Sequence, residues 1–206
     1  MSMNARGMSK EQFDRNKKFL ARLIDIYGSC AMLAIEGDFV VGQARFYPEV
    51  IFDLAGQKHI CCQDPRFAAT QQMIKMDLPT IQNPANRILR IHCWLIHKDY
   101  LGRGLSHALL DGILEWALSH SWKLVRAYAG PDNYWVASQA CAPMLRTYIK
   151  HGFQKTKTVP SSELKEILME LQEGKFGIGL KKEFEKFCAG EDLSKLAVFH
   201  EVERRL

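Results

Sequence analysis

The chain has 206 residues, of which 47% are hydrophobic and 25% charged, with a formal net charge of +5. That length suits one domain, or one domain with an extension, and the composition supplies ample apolar side chains for a core. No apolar run reaches the roughly eighteen residues of a membrane-spanning helix, and the positive charge is too diffuse, with no Lys/Arg block, to argue for nucleic acid.

A mild positive balance suits attraction of a polyanionic small molecule. The segment Met1-Ser2-Met3-Asn4-Ala5-Arg6 carries no apolar stretch, so no secretory leader is expected and a cytoplasmic location is. Six cysteines, Cys30, Cys61, Cys62, Cys93, Cys141 and Cys188, fall in no CxxC pair. They read as reduced, largely buried thiols rather than a disulfide framework or a zinc site. Cys62 and Cys93 stay open as reactive thiols.

Ser9 predicts the cap of a first helix, with Gln12 at the reciprocal position and Phe13, Leu20, Leu23, Ile24 and Tyr27 as its apolar stripe. Gly28 is a natural stop. Ala31 to Ile35 and Phe39 to Tyr47 read as strands joined by the tight turn Glu36-Gly37-Asp38, with Pro48 ending the second. Residues 48–86 are the least legible. Val50 to Leu54 and Lys58 to Cys62 read as short strands, Arg66 to Met76 as a helix after Pro65, and Pro79, Asn83 and Pro84 as breaks. So long a connection is often a functional loop or an insertion.

Ile88 to Ile96 is a largely apolar strand suited to a sheet centre. The turn Lys98-Asp99-Tyr100-Leu101-Gly102-Arg103-Gly104-Leu105-Ser106 follows, and then an amphipathic helix to Leu118. His107, Asp111 and Glu115 recur at spacing four, opposite Leu105, Leu109, Leu110, Ile113 and Leu114, the pattern of a helix packed on a sheet. Strand, glycine-bearing loop and helix N-terminus in that order gather backbone N–H groups and the positive end of a helix dipole. The expected guest is a pyrophosphate, and the expected class a cofactor-using enzyme. Trp122 to Ala129 reads as a strand, Gly130-Pro131-Asp132-Asn133 as a loop, Pro143 to Lys150 as a helix stopped by Gly152, and Phe153 to Val159 as a strand. Ser161-Ser162-Glu163-Leu164 opens a charged helix ending near Gly174. A second helix spans Lys181 to Cys188, and Ala197 to Val202 is a final strand.

Four landmarks in order carry a family resemblance. They are Phe39-Val40-Val41-Gly42; Ile96 at a strand end; Tyr100 before the loop Leu101-Gly102-Arg103-Gly104-Leu105-Ser106; and Tyr148-Ile149-Lys150-His151-Gly152-Phe153. Together, across residues 31–158, they resemble the GCN5-related N-acetyltransferases, or GNAT proteins. That family's loop reads Arg/Gln-x-x-Gly-x-Gly/Ala. Gly104 matches its central glycine and Ser106 its last small residue, while Leu101 departs from the usual Arg or Gln. Residues 48–86 and 161–194 match nothing in the family's pattern.

The resemblance implies a single α/β domain over 1–206, with a mixed, mostly antiparallel sheet flanked by helices. Residues 48–86 would be a variable segment and 161–194 a helical insertion before the last strand. It implies transfer of an acetyl or short acyl group from acetyl-CoA to an amine by direct attack in a ternary complex, without a metal. Backbone from Leu101 through Gly102, Arg103, Gly104, Leu105 and Ser106 would hold the coenzyme A pyrophosphate, where a Cβ would block close approach. Arg103 would add a charge-assisted contact. Main chain at Trp94, Leu95 and Ile96 would pair with pantetheine, an N–H of Leu95 or Ile96 facing the thioester oxygen.

Tyr148 is implied as the acid that protonates the leaving thiolate, although a helical tyrosine is otherwise a packing residue. Asn133 would touch pantetheine, or serve only the turn. Some relatives place a basic Glu six residues before the strand end, where this chain has Arg90. His92 is the substitute base, with an ordinary pKa suited to an ammonium near neutrality. His97, Glu36, Glu49, Asp53, a bridging water and attack by an already neutral amine stay open, as does a structural histidine. The acceptor is a small-molecule or peptide amine, with no nucleic acid and no membrane among the partners, and a homodimer stays open. The alternatives are a weakly catalytic CoA-binding module, or a transferase using another short acyl group.

Overall fold

The structure, a computed structural model, describes residues 9–54, 74–75 and 87–206. Its strands are β1 (Ala31–Glu36), β2 (Phe39–Pro48), β3 (Ile88–Ile96), β4 (Leu124–Ala129), β5 (Gln154–Pro160) and β6 (Val198–Arg205). They form one mixed α/β sheet in the order β1-β2-β3-β4-β6-β5, flanked by helices. β1 with β2, β2 with β3, and β5 with β6 run antiparallel. The expected fold class is therefore the one observed. By internal contacts the chain divides into two units, Met1–Val125 with Leu206, and Arg126–Arg205.

In the first unit, α1 (Lys10–Tyr27) begins where the Ser9 hydroxyl accepts the Gln12 N–H at 3.2 Å and stops at Gly28, whose φ is +84°. Asn16, Phe19, Leu23 and Tyr27 are its buried residues. Phe13 and Ile24, expected in the stripe, are 56% and 46% exposed. Phe19, Leu23 and Tyr27 set the buried line at spacing four, and they pack with Tyr47, Ile51 and Phe52. Ile24 lies about 100° around the helix from Leu23 and so misses that line.

The expected strand from Val50 to Leu54 is instead part of a short helix, α2 (Glu49–Leu54). Ile51 and Phe52 are both buried in one cluster. A strand would have sent these neighbours to opposite faces, whereas a helix sets them about 100° apart, near enough for both to reach one cluster. The expected strand at Lys58 to Cys62, the breaks at Pro79, Asn83 and Pro84, and the helix at Arg66 to Met76 lie outside the described residues, apart from Ile74 and Lys75, which are helical. β1 and β2 join at Gly37, φ +56°, as the hairpin reading requires. α3 (Leu105–Ser119) buries Leu109, Leu110, Ile113, Leu114 and Ala117. Its close approach to β1 needs Gly112, where an added Cβ would lie 3.2 Å from the Met32 sulfur.

The second unit holds α4 (Tyr134–Gln139), α5 (Leu145–Lys150), α6 (Ser162–Glu173), α7 (Ile178–Cys188) and α8 (Leu193–Leu196). α4 and α8 escape sequence reading because segments of six and four residues carry too few turns to show a period. α6 starts where the Ser161 hydroxyl accepts the Leu164 N–H at 3.1 Å and ends at Gly174, φ +81°. Residues 161–197 pack around their own apolar centre, with Leu164, Leu168, Leu171, Phe184, Cys188 and Leu196 against Trp135 and Val136. β5, at the sheet edge, is exposed along nearly its whole length and carries Lys155 and Lys157, the charges that discourage a further strand from adding there. Leu168 is fully buried, so Leu168→Ala is expected to destabilise the protein by about 2–5 kcal/mol, read as a lower urea midpoint.

Candidate active site

β3 hands the chain to α3 through a 3-10 turn at Lys98–Tyr100 and four exposed residues, 101–104. The Tyr100 N–H returns to the His97 carbonyl at 2.9 Å and that of Leu101 to the Lys98 carbonyl at 3.3 Å. Among the described residues, the next backbone N–H to donate to a carbonyl is that of His107, to Gly104 at 3.0 Å. Among the described residues, no backbone carbonyl accepts from the five amides of residues 102–106 between them. Gly102 and Gly104 have φ of +74° and +79°, and an added Cβ at either would meet nothing within 4 Å. The loop thus has left-handed turns that favour glycine, clear space over its backbone, and the N-terminus of a fifteen-residue helix behind it. Leu101 supplies no polar group. Arg103 does, and its guanidinium lies 4.8 Å from the centre of the Tyr100 ring.

Sequence reasoning did not foresee how Tyr100 is held. Its hydroxyl donates to the Glu36 carboxylate at the end of β1, and its ring meets His97 edge-on at 5.9 Å. The bond to Glu36 raises the Tyr100 pKa above the ordinary tyrosine value, with smaller contributions from desolvation and the Glu36 charge.

The end of β3 is paired to β2, with Gly42 opposite Ile96, Gln43 opposite Leu95 and Ala44 opposite Trp94. The His97 N–H donates to Val41 at 2.9 Å. Amide direction alternates along a strand, so the Leu95 N–H also points at β2, and those of Trp94 and Ile96 point away from it. Trp94 is buried and Leu95 and Ile96 half-buried, so the Trp94 side chain is core.

The candidate bases are largely engaged. Glu49 accepts from the Arg90 Nε at 3.0 Å and from its Nη2, the two side chains being 14% and 15% exposed. Arg90 also lies 5.6 Å over the Phe52 ring. Position 90, where the resemblance led to an expected carboxylate, is thus a guanidinium closed by a carboxylate from α2. His92, two residues along, packs its ring 4.8 Å from Tyr47 and edge-on 5.4 Å from Phe52, with both ring nitrogens buried. His97 is exposed and turns its Nδ1 to the Asp99 N–H at 3.4 Å. Asp53 is exposed, and Glu36 is bound to Tyr100.

Tyr148 and Asn133 lie in the second unit. Tyr148, on α5, is fully buried, its ring edge-on to Phe153 at 5.1 Å. The Asn133 amide is committed at both ends. Its Oδ1 caps α4 by accepting the Val136 N–H at 3.1 Å, and its Nδ2 donates to the Phe187 carbonyl at 2.9 Å. That is turn and cap chemistry. Cys30, Cys93 and Cys188 are buried and Cys141 half-buried. Burial, assisted by Glu191, pushes the Cys188 thiol up to about 11. Cys93 is buried, away from reagents, and Cys61 and Cys62 lie outside the described residues. Among those residues, no group of three or more His, Cys, Asp or Glu is placed to hold a metal ion, and no helix is long and apolar enough to cross a membrane.

No protein-family model and no curated protein matches the sequence. Among solved structures the chain is similar in fold to a ribosomal-protein-alanine N-acetyltransferase from Brucella melitensis, at 12% identity and TM-score 0.48, over 93% of this chain and 77% of that one. It is similar to a GCN5-related N-acetyltransferase from Kribbella flavida, at 12% identity and TM-score 0.45, over 100% and 94%. A GNAT family acetyltransferase from Elizabethkingia anophelis with acetyl-CoA bound is similar at 15% identity and TM-score 0.43, over 90% and 82%. The likeness is one of backbone course.

The Arg90–Glu49 pair makes a test of its own. Glu49→Ala takes the carboxylate from a largely buried guanidinium and is expected to destabilise the protein by about 3–5 kcal/mol, whereas the double change Arg90→Met with Glu49→Leu recovers most of that loss. Chemical denaturation of the three chains measures it.

Proposed function

We propose that residues 1–206 form a single GCN5-related acyltransferase domain that moves an acetyl group from acetyl-CoA to an amine. The observation that carries this is the loop: five successive amides that, among the described residues, are turned to no backbone carbonyl, opened by two left-handed glycines at the head of α3. Such a cradle suits a pyrophosphate, and a Cβ at residue 102 or 104 would stand in its space. The four sequence landmarks place that cradle in the context of acyl transfer.

The chemistry assigned to the chain is modest. The amine nitrogen bonds to the acetyl carbon, the carbon–sulfur bond breaks, the ammonium loses a proton, and the thiolate gains one. The N–H of Ile96, aimed away from β2, is the donor assigned to the thioester oxygen, a role that charge development in the transition state rewards. β3 has nine residues and β4 six, and the last three of β3 are Trp94, Leu95 and Ile96, the main chain assigned to pantetheine. Tyr148 is assigned as the acid for the thiolate on the strength of its motif. With Glu49 closed on Arg90, the proton of the ammonium is left to His92, to water, or to solution before the amine binds.

The acceptor is assigned only as a small-molecule or peptide amine, and the protein is assigned to the cytoplasm. A second proposal, a CoA-binding module with little turnover, is favoured by the closed Arg90–Glu49 pair and by Leu101.

Calorimetric titration with CoA tests the cradle. Saturable one-to-one binding is expected for the full chain, and Gly104→Val, which sets a β-branched residue at a left-handed φ and fills the open space, is expected to weaken it at least about tenfold. Absence of heat with the unaltered chain overturns the proposal. Thiol release measured across a panel of amines then separates enzyme from module. Tyr148→Phe is expected to lower kcat by about a hundredfold or more with CoA affinity unchanged, and equal turnover removes Tyr148 as the acid.

A further inference from the structure

We infer that Tyr100 and Glu36 are positioning residues for coenzyme A: their hydrogen bond ties the loop to the β1–β2 hairpin and holds the Glu36 carboxylate away from Arg103, leaving that guanidinium to the phosphate groups. This rests on the proposed CoA site.

Three observations meet here. Within Leu101–Ser106, Arg103 is the only charged side chain, so with Leu101 in place of the usual Arg or Gln it alone supplies side-chain charge to an anion in that loop. Its guanidinium sits over the Tyr100 ring at 4.8 Å, a cation–π contact that fixes the direction of a flexible side chain. The hydroxyl of that same ring donates to Glu36, 64 residues earlier in the chain, so one phenol joins the cation, the carboxylate and two elements remote in sequence.

The electrostatics give the bond its purpose. A carboxylate left unpaired beside a phosphate site either repels the phosphate or captures the nearest guanidinium. A phenol that donates to the carboxylate prevents both without adding a charge. The raised pKa of Tyr100 keeps it a donor throughout the neutral range. The other charged groups on this turn are Lys98 and Asp99, and the Asp99 carboxylate lies 3.7 Å from the His97 Nδ1.

The test is CoA titration of the full-length chain and three variants. Tyr100→Phe is expected to raise the Kd for CoA about tenfold, the order expected for losing a hydrogen bond to a charged group. Glu36→Gln still accepts from the phenol and removes the competing charge, so it is expected to bind within about twofold of the unaltered chain. The double variant, Tyr100→Phe with Glu36→Gln, is expected to regain most of the lost affinity, because no carboxylate is left to capture Arg103. A purely structural tyrosine would give no such recovery, and thermal melting of the variants checks that the fold is intact. Equal CoA affinity in Tyr100→Phe, or a double variant as weak as Tyr100→Phe, overturns the inference while the CoA site stands. An unaltered chain that takes up no CoA overturns the CoA site and the inference together.

Discussion

The passage from β3 into α3 turns on two residues without side chains. Gly102 and Gly104 take left-handed backbone angles that other residues adopt at a cost of about 1–2 kcal/mol each. Those angles swing the intervening amides outward instead of into the ladder of a strand or a helix. The helix that follows is then started at the right height to lay Leu109, Leu110 and Ile113 into the core. One local constraint thus couples the most buried helix of the first unit to its most open stretch of backbone.

Along β3 and in the turn after it, charge is managed by pairs that bridge distant elements. Arg90 near the start of β3 meets Glu49 on α2, and Tyr100 beyond its end meets Glu36 on β1. In each case a carboxylate is given a donor. The acid that answers the Arg90 guanidinium comes from the first residue of α2, and the guanidinium lies over the Phe52 ring, which meets His92 edge-on, so this end of β3 is aromatic around a largely buried ion pair.

The legible and illegible parts of the chain divide along physical lines. β3 and α3 could be read because a nine-residue apolar run and a fifteen-residue amphipathic pattern are long enough for one period to prevail. The hairpin at Gly37 and the helix stop at Gly28 were legible because a positive φ demands glycine. Val50 to Leu54 was misread because a short apolar run fits a strand or a helix equally until packing decides, and Ile51 and Phe52 decided it by sharing a cluster. Phe13 and Ile24 were misplaced because a folded chain leaves much apolar surface in water, so an apolar residue at the margin of a stripe is no guide to burial. At the candidate site, the glycine loop was visible as a motif, but its supports were not. Glu36 with Tyr100 and Glu49 with Arg90 are separated by 64 and 41 residues, and no local pattern announces a pairing at that range.

The amide of Asn133 carries an implication for how the protein ages. One side chain starts α4 through its oxygen and ties down the end of α7 through its nitrogen. Hydrolysis of that amide to a carboxylate would preserve the first attachment and invert the second, setting an anionic oxygen against the Phe187 carbonyl in place of a donor. Spontaneous deamidation at this single asparagine would therefore loosen the end of α7 from the start of α4, with no change in mass beyond the swap of one amide for one acid.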